Sequence, residues 1–520
     1  MLQSATSLPL LRLVLQGSGR FNFEFAGALV LAGLSNAVLL AIINAAAENA
    51  RNADANGRFL AMFVIAITLY IVTQRHILFT SIREVEKLLH DIRVRVAERI
   101  RTSNLSAIER VGRSDIYGII NRETQQISQA AGTLIVAGQS MLMVVFAVLY
   151  LAMLSRAAFI IAAVITWAGL TVHFRRAHEL NTLLHEAQTQ ENRFLDGLTH
   201  LLDGFKEARM NRTRAGDLFA HLRGLSGNVE AVKTKSSIGF AAHFIFAQAA
   251  FYILLAAIVF LLPKLGEAYS EVVMKLTATV LFIIGPLSAI VSAIPMFSTA
   301  NVAAAKIFEL ESVLAHAGDA GENGRPEAEP PATFQRLVLD GVTFQYSGAG
   351  KSTLMKTLTG LYLPQAGSIT LDSTLVTAET ATWYRSHFAT VFTDYHLFDR
   401  LYGLQHVPPE RVNALLQMMQ IDHKTQFVDG RFTTQNLSGG QRKRLALIVA
   451  MLEERPIFVL DEWAADQDPP FRKYFYERVL RELKAQGRTV IAVTHDDKYF
   501  GVADQIVKME YGTFVPYQGA

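Results

Sequence analysis

Six stretches without a charged residue dominate the first 310 residues of the chain. They are Phe25 to Ala47, Phe59 to Gln74, Thr124 to Ser155, Ala157 to Phe174, Ser236 to Pro263 and Leu276 to Ala305. A helix needs about 20 apolar residues to cross the hydrocarbon core of a bilayer. Four stretches reach that length and two are borderline. Phe59 to Gln74 reaches it by continuing past Arg75 to Phe79, with the arginine facing a neighbouring helix or snorkelling to the interface. The alternative is a set of buried core helices in a large soluble protein, but no soluble fold needs so many aliphatic residues. The sequence predicts an α-helical six-span transmembrane domain over residues 1–314, with spans near 25–47, 59–79, 130–154, 157–175, 238–263 and 276–298.

The composition agrees with a membrane protein. Hydrophobic residues make up 51% of the chain and charged residues 18%, against about 25% charged in soluble domains. This excludes a disordered, fibrous or purely cytosolic chain. The net charge of +3 comes without a basic block, so no nucleic-acid partner is expected. The chain has no cysteine, which excludes disulfides, thiolate metal sites and cysteine nucleophiles.

Basic residues predict the orientation of the spans. They are concentrated in the connections after spans two and four, at Arg83, Lys87, Arg93, Arg95, Arg99, Arg101, Arg110, Arg113, Arg122, Arg175, Arg176, Arg209, Arg212 and Arg214. Since lysine and arginine favour cytoplasmic loops, both connections and both ends of the domain are expected in the cytoplasm. Apolar residues at three- and four-residue intervals, from Ile82 to Val96, predict that these connections are helices. Turns near 114–120 and 211–219 are expected to contact the second domain.

Four polar residues fall inside the predicted spans: Asn36, Asn44, Gln139 and His243. Polar residues at membrane depth are candidates for lining a substrate cavity. Hydrogen bonding between helices is an equally good interpretation of each.

The composition changes at Ala315. Residues 315–333 are small, polar and rich in proline and glycine, as is typical of a linker. From 334 to 520, short apolar runs (337–344, 456–460, 489–493) alternate with helical segments (352–361, 440–452, 471–484). This alternation predicts an α/β domain.

Three segments of this second domain have the residues for binding phosphate. Gly350, Lys351, Ser352 and Thr353 open a helix, as at the end of a phosphate-binding loop, where lysine reaches the phosphates and serine binds Mg²⁺. Asp461 and Glu462 follow a buried strand, where Asp461 can hold the water of a metal ion and Glu462 can polarise an attacking water. Ser438, Gly439, Gly440 and Gln441 form an anion site at the start of a helix. Taken singly, the acidic pair is also an ordinary strand end, and the serine segment is also a plain helix cap.

Together these residues resemble an ATP-binding cassette (ABC) exporter, a six-span membrane domain fused to an α/β P-loop nucleotide-binding domain. The family order GKST, LSGGQ, FVLDE and AVTHD is present. The resemblance implies ATP and Mg²⁺ as cofactors, with Ser352 and Asp461 at the metal and Glu462 as a catalytic residue. It also implies that His495 contacts the γ-phosphate and that Asp468 lies in the D-loop at a dimer interface. A histidine that only caps the strand end is the alternative for His495.

Two features resemble the cyclic peptide exporters associated with syringomycin and pyoverdine secretion. Thr393 occupies the position of the Q-loop glutamine, where it is a candidate nucleotide-binding residue and Asp394 is a candidate substitute for the missing carboxamide. Residues 204–212, GFKEARMNR, resemble the second coupling region of that branch.

The phosphate loop departs from the family pattern. Gln345 stands where the motif has glycine, and a buried strand before the loop is absent. The segment VTFQY resembles the strand whose tyrosine stacks on adenine, which makes Tyr346 and the loop residue Gly348 candidate nucleotide contacts. Tyr346 lies only five residues before Lys351, too close to stack easily. We expect a nucleotide domain shortened near 346–350.

The resemblance implies a half-transporter that acts as a homodimer in the bacterial inner membrane and exports a peptide or siderophore-type cargo by alternating access. A lipid or drug flippase of the same architecture and a membrane protein with an impaired, non-hydrolysing nucleotide domain are the alternatives.

Overall fold

The computed structural model describes residues 8–17, 23–48, 53–265, 273–316, 334–344, 350–510 and 512–515. The chain forms two compact units. The first comprises Met1–Glu98 and Arg113–Ser312, and the second comprises Arg99–Gly112 and Val313–Ala520. The short segment 99–112 therefore belongs with the C-terminal domain.

The first unit is helical throughout its described residues. Its helices are α1 (Pro9–Gly17), α2 (Phe23–Glu48), α3 (Ala53–Thr102), α5 (Arg113–Gly118), α6 (Thr124–Leu154), α7 (Arg156–Asp203), α8 (Phe205–Met210), α9 (Arg212–Ala256) and α10 (Val273–His316). Short π-helical segments lie between α5 and α6, at Ile119–Glu123, and directly after α9, at Ala257–Leu261. The helix α4 (Leu105–Val111) belongs to the second unit.

Each of the six apolar stretches is helical in the described residues. Four segments are long and apolar enough to cross a membrane by length and composition: Gly57–Thr102, Asp115–Leu154, Arg212–Lys264 and Val273–Ala315. Two shorter apolar segments, Val30–Ala46 and Arg156–Ala168, lie within α2 and α7. The N-terminal region is thus a membrane domain, and the count of six spans stays a prediction.

The long basic connections are continuous with the apolar helices, as expected. The 50 residues of α3 correspond to about 75 Å of helix. Leu89, Ile92 and Val96 are buried on one face of α3, but Ile82 is 61% exposed. The helix predicted from the apolar periodicity is present along 82–96, and its buried face includes Leu89, Ile92 and Val96 but not Ile82.

The first turn predicted from the sequence, near 114–120, is not a turn in the structure. Residues 114–120 are helical. The chain turns before them, where Asn104 Oδ1 caps α4 by accepting from the Ala107 N–H at 3.0 Å, and Gly112 ends α4 with φ of 86°. The second break falls at Asn211, the first residue of the predicted range 211–219, where Asn211 Oδ1 accepts from the Arg214 N–H at 3.1 Å and starts α9.

Polar residues of the apolar helices make contacts between helices. Gln74 Nε2 donates to Gln139 Oε1 at 3.1 Å, and Asn36 Nδ2 lies 3.6 Å from Met143 Sδ. These contacts favour the helix-packing interpretation for Asn36 and Gln139. Asn44 and His243 are also buried.

The described residues of the second unit form four small sheets. Its strands are β1 (Leu337–Thr343), β2 (Ala366–Leu371), β3 (Thr374–Leu375), β4 (Phe388–Val391), β5 (Phe427–Val428), β6 (Arg431–Phe432), β7 (Ile457–Asp461), β8 (Thr489–Val493), β9 (Lys508–Glu510) and β10 (Thr513–Val515). Its helices after α4 are α11 (Lys351–Leu358), α12 (Ala381–Arg385), α13 (Pro409–Met418), α14 (Gly439–Leu452), α15 (Pro469–Tyr474) and α16 (Leu480–Ala485). The order β1-β2-β3 is antiparallel, β4-β7-β8 is parallel, and β5-β6 and β9-β10 form antiparallel pairs.

The parallel sheet forms the centre of the domain. Every residue of β7 is buried, as expected for a strand that starts with four apolar residues and has a strand on both sides. Among the described strands β8 pairs with β7 alone, and Thr489 and Ala492 are exposed. One edge of the parallel sheet is therefore open on the side of β8.

Candidate nucleotide-binding site

The helix α11 begins at the predicted end of the phosphate loop. The Gly350 N–H donates to Thr353 Oγ1 at 3.4 Å, and Ser352 is exposed at the first turn. Met355 and Leu358, one and two turns further along, pack in the same apolar cluster as Ile457 and Val459 of β7. This packing fixes the start of α11 relative to the end of β7. The predicted contacts Tyr346 and Gly348, and Gln345 before them, lie outside the described residues.

The carboxylates Asp461 and Glu462 lie at the carboxyl end of the central strand. Asp461 is 2% exposed and pairs in register with Val493 of β8. At Glu462 the backbone turns out of the strand with φ of 47°, and its N–H still donates to the Val493 carbonyl at 3.0 Å. Since parallel strands end at the same sheet edge, this register brings Glu462 next to the residues that follow β8.

Three of the predicted site residues meet at this edge. Lys351 Nζ lies 2.6 Å from His495 Nε2, and His495 Nε2 lies 3.3 Å from Glu462 Oε1. A lysine from a helix start, a carboxylate and a histidine within hydrogen-bond reach have the chemistry to bind a phosphate, to act as a base for water and to contact a terminal phosphate. The structure therefore brings together residues 144 positions apart in the arrangement the motifs predict.

Asp461 has the chemistry expected of a metal-site carboxylate. Its Oδ2 accepts from Thr393 Oγ1 at 3.0 Å, while its buried Oδ1 has no hydrogen-bond partner among the described residues. Since an unpaired buried carboxylate oxygen is costly, a water of Mg²⁺ fits Oδ1. The described residues contain no cluster of three acidic or histidine side chains, so Mg²⁺ would be held as is usual for this ion, by Asp461, Ser352, waters and substrate phosphates. Bound there, Mg²⁺ would neutralise charge on the transferred phosphate.

Ser438 begins α14 with a reciprocal cap. Its Oγ accepts from the Gln441 N–H at 3.4 Å and its N–H donates to Gln441 Oε1 at 3.0 Å, the geometry of a capping box. The segment is therefore a capped helix start, which is compatible with both interpretations, and anion binding by Ser438, Gly439, Gly440 and Gln441 stays a prediction.

Gly440 lies against the segment that follows β7. A Cβ built on Gly440 would lie 2.6 Å from the Asp466 carbonyl oxygen, whereas one on Gly439 would meet nothing within 4 Å. Gln467 Nε2 also donates to the Gly440 carbonyl at 3.1 Å. The two glycines therefore have different functions in the fold, and only the second is required by close packing.

Two buried basic residues of α14 hold the segment after Glu462. Lys443 Nζ donates to the Glu462 carbonyl at 2.9 Å and pairs with Asp466 at 2.8 Å. Arg444 donates from Nε to Gln467 Oε1 at 2.9 Å and from Nη2 to Asp468 Oδ2 at 2.7 Å. The sequence analysis did not identify these positioning residues. Their signal is a run of three consecutive cations, Arg442 to Arg444, in a helix whose next eight residues are apolar.

Asp468 is held within its own chain. Its Oδ1 accepts from the Phe471 N–H at 2.9 Å and caps α15. That hydrogen bond, with further help from Arg444, lowers the pKa of Asp468 below its ordinary value. Its place at a dimer interface stays a prediction.

The residues after His495 are anchored by a buried tyrosine. Tyr476 OH lies 2.7 Å from Thr494 Oγ1 and donates to Asp496 Oδ2 at 3.0 Å, and burial raises the pKa of Tyr476 to about 12. Arg472 pairs with the same carboxylate at 3.1 Å. Both neighbours of His495 in the chain are thus fixed.

Comparisons with known proteins agree with this geometry. The family described as ABC transporter matches residues 345–465. The ATP-binding protein SyrD of Pseudomonas syringae pv. syringae is 30% identical over 478 residues, which cover 82% of each chain.

Two further relatives match over the nucleotide domain. The probable syringafactin export ATP-binding/permease protein SyfD of Pseudomonas syringae pv. syringae (strain B728a) is 32% identical over 32% of this chain and 28% of its own length. The macrolide export ATP-binding/permease protein MacB of Burkholderia pseudomallei (strain 1710b) is 33% identical over the same shares. ATP with Mg²⁺ is the usual partner of such a domain. The chain is an ATPase-coupled transporter, a membrane protein with a cytoplasmic nucleotide domain, and it belongs to the ABC transporter family.

Proposed function

We propose that this chain is a half-transporter that forms a homodimer in the bacterial inner membrane and exports a peptide or siderophore-type cargo by alternating access. The observation that carries the proposal is the meeting of Lys351, Glu462 and His495 in a chain with one membrane domain and one nucleotide domain. In a symmetric pair, each site would be completed by Ser438 to Gln441 of the other copy.

The cargo class rests on likeness. SyrD matches along most of both chains, and SyfD is named for export of syringafactin. The residues 204–212 and Thr393 resemble the cyclic peptide exporters in the same sense. A peptide-type cargo is therefore favoured over a lipid or a drug.

Transport by purified protein in proteoliposomes tests this proposal. With a fluorescent cyclic lipopeptide as the probe, we expect accumulation that requires ATP and Mg²⁺ and is absent from Glu462→Gln. Mass measurements of the purified protein in detergent at micromolar concentration should give a dimer. Monomers alone would refute the half-transporter mechanism, and ATP-dependent movement of a labelled lipid but not the peptide would favour the flippase.

The open edge of β8 favours one second candidate, a membrane protein whose nucleotide domain hydrolyses slowly or not at all. Only five residues, 345–349, separate Phe344 from Gly350, too few for a hairpin and a strand. Binding of a fluorescent ATP analogue separates the two candidates, since the transporter requires affinity in the range of cellular ATP.

A further inference from the structure

A charged contact in the second unit joins α4 to the helix of the phosphate loop. Glu109 of α4 accepts from Lys356 Nζ at 3.1 Å through Oε1 and from Tyr362 OH through Oε2. The Glu109 and Lys356 side chains are 26% and 16% exposed, so solvent screens this pair less than it screens a surface ion pair. The ring of Tyr362 stacks on Phe344 at 4.8 Å between centroids, which holds its hydroxyl in place.

The same lysine also faces the Q-loop position. Lys356 Nζ lies 3.7 Å from Asp394 Oδ2. The neighbour of Asp394, Thr393, donates to the buried carboxylate Asp461 at 3.0 Å. A chain of polar contacts therefore leads from the metal-site carboxylate, through Thr393, Asp394 and Lys356, to Glu109.

The position of α4 in the chain gives this contact its significance. α4 follows α3 and precedes α5 and α6, so a displacement of α4 pulls on both long apolar helices. Glu109 is the α4 residue with two hydrogen bonds to the rest of its unit among those that the structure describes.

We propose that Glu109 and Lys356 are the positioning residues that link nucleotide binding to α3 and α5, and that Asp394 and Thr393, in place of a glutamine, report the state of Asp461 to Lys356. This inference rests on the proposed ATP-driven transport. It assigns the link to the ion pair of Glu109 and Lys356.

Charge reversal in the full-length protein in nanodiscs tests the pair. The variants are Glu109→Lys, Lys356→Glu and the double reversal, with the milder Glu109→Gln in case a reversal perturbs folding. Arg110→Glu is the matched control, because Arg110 is the next residue of α4 and is exposed.

The first measurement is hydrogen exchange of the amides of 105–111 without nucleotide. We expect about tenfold faster exchange in each single variant and recovery in the double reversal, as for directly coupled residues. Arg110→Glu should exchange like the wild type. Faster exchange in the double reversal than in either single variant, or unchanged exchange in all of them, would overturn the pair.

The second measurement is the nucleotide response of the membrane domain. The chain has no cysteine, so Tyr117→Cys on α5, where Tyr117 is 73% exposed, gives a single spin-label site. In Glu462→Gln, ATP with Mg²⁺ should change the label-to-label distance in the homodimer. The single reversals should lose this change and the double reversal should regain it, while binding of a fluorescent ATP analogue stays within about twofold.

Asp394→Asn tests the contacts that lead from Asp461 through Thr393 and Asp394 to Lys356. It should keep the exchange protection of 105–111 and lose the distance change; a full distance change would remove Asp394 from the proposal. If the parent protein shows no dimer or no response to ATP, the proposed transport function fails, and the exchange experiment still decides whether Glu109 and Lys356 hold α4.

Discussion

Replacing Gly440 by alanine should separate α14 from the segment that follows Glu462. The added Cβ would lie 2.6 Å from the Asp466 carbonyl oxygen, and ordinary contact begins at 3.4 Å, so the two segments must part by about 0.8 Å. Overpacking against a backbone atom typically destabilises a protein by about 1–3 kcal/mol. A displacement approaching 1 Å in a catalytic site can lower the rate by about a hundredfold. We therefore expect Gly440→Ala to lower ATPase activity between tenfold and about a hundredfold.

Gly439→Ala is the matched control for packing, because its Cβ would meet nothing within 4 Å. Since Gly439 itself belongs to the proposed ATP site, the two variants are compared by the midpoint of thermal unfolding of the nucleotide domain, and the ATPase activity of Gly440→Ala in nanodiscs is compared with that of the wild type. At roughly 2–4 °C per kcal/mol for a domain of this size, Gly440→Ala should melt several degrees below Gly439→Ala. Equal midpoints in the two variants would refute the close packing of Gly440 on Asp466.

Three further predictions follow from the same site. Glu462→Gln should keep ATP binding and lower hydrolysis by about 10²–10⁴-fold, because the water loses its base; single-turnover hydrolysis at the wild-type rate would contradict this. Asp468→Asn should destabilise the nucleotide domain at neutral pH, because the lowered pKa of Asp468 stabilises the folded state while the carboxyl is ionised. The difference in the free energy of unfolding from the wild type should therefore shrink as the pH falls below 3.8, the ordinary pKa of this carboxyl. A difference that stays constant from pH 7 to pH 3 in unfolding experiments would contradict this. Insertion of a hairpin and strand between Tyr346 and Ser347 should raise ATPase activity well above that of the natural chain, whereas an insert of equal length in Gly and Ser should not; comparable rates for all three proteins would show that residues 347–352 make a competent loop unaided.

Local patterns predicted most of the elements that carry the site. The run Ile457 to Leu460 is apolar without interruption, and the structure buries all of β7, which extends to Asp461. Motif order predicts Lys351, Glu462 and His495, because Lys351 opens a helix and the other two residues follow strands.

Contacts between distant segments could not be read from the sequence. Ile82 fits the apolar period of α3 but is 61% exposed, since periodicity shows which residues share a face and not how far the neighbouring helix extends. The segment 114–120, where a turn was expected, is helical because the chain turns earlier, at Asn104, which begins α4, and at Gly112, which ends it. Neither the contact of Arg444 with Asp468 nor that of Lys356 with Glu109 has a local signal, because 24 and 247 positions separate the partners.

The open edge of β8 affects ATP binding and catalysis differently. Lys351 reaches His495 because Met355 and Leu358 anchor α11 on β7, and that packing does not involve a strand beside β8. The catalytic groups therefore hold their positions without it. Ordering the backbone N–H groups that would bind phosphate still costs about 1–2 kcal/mol per residue. This cost weakens nucleotide binding. The inserted strand should consequently lower the KM for ATP more than it raises kcat, and an effect confined to kcat would show that the strand positions the catalytic residues instead.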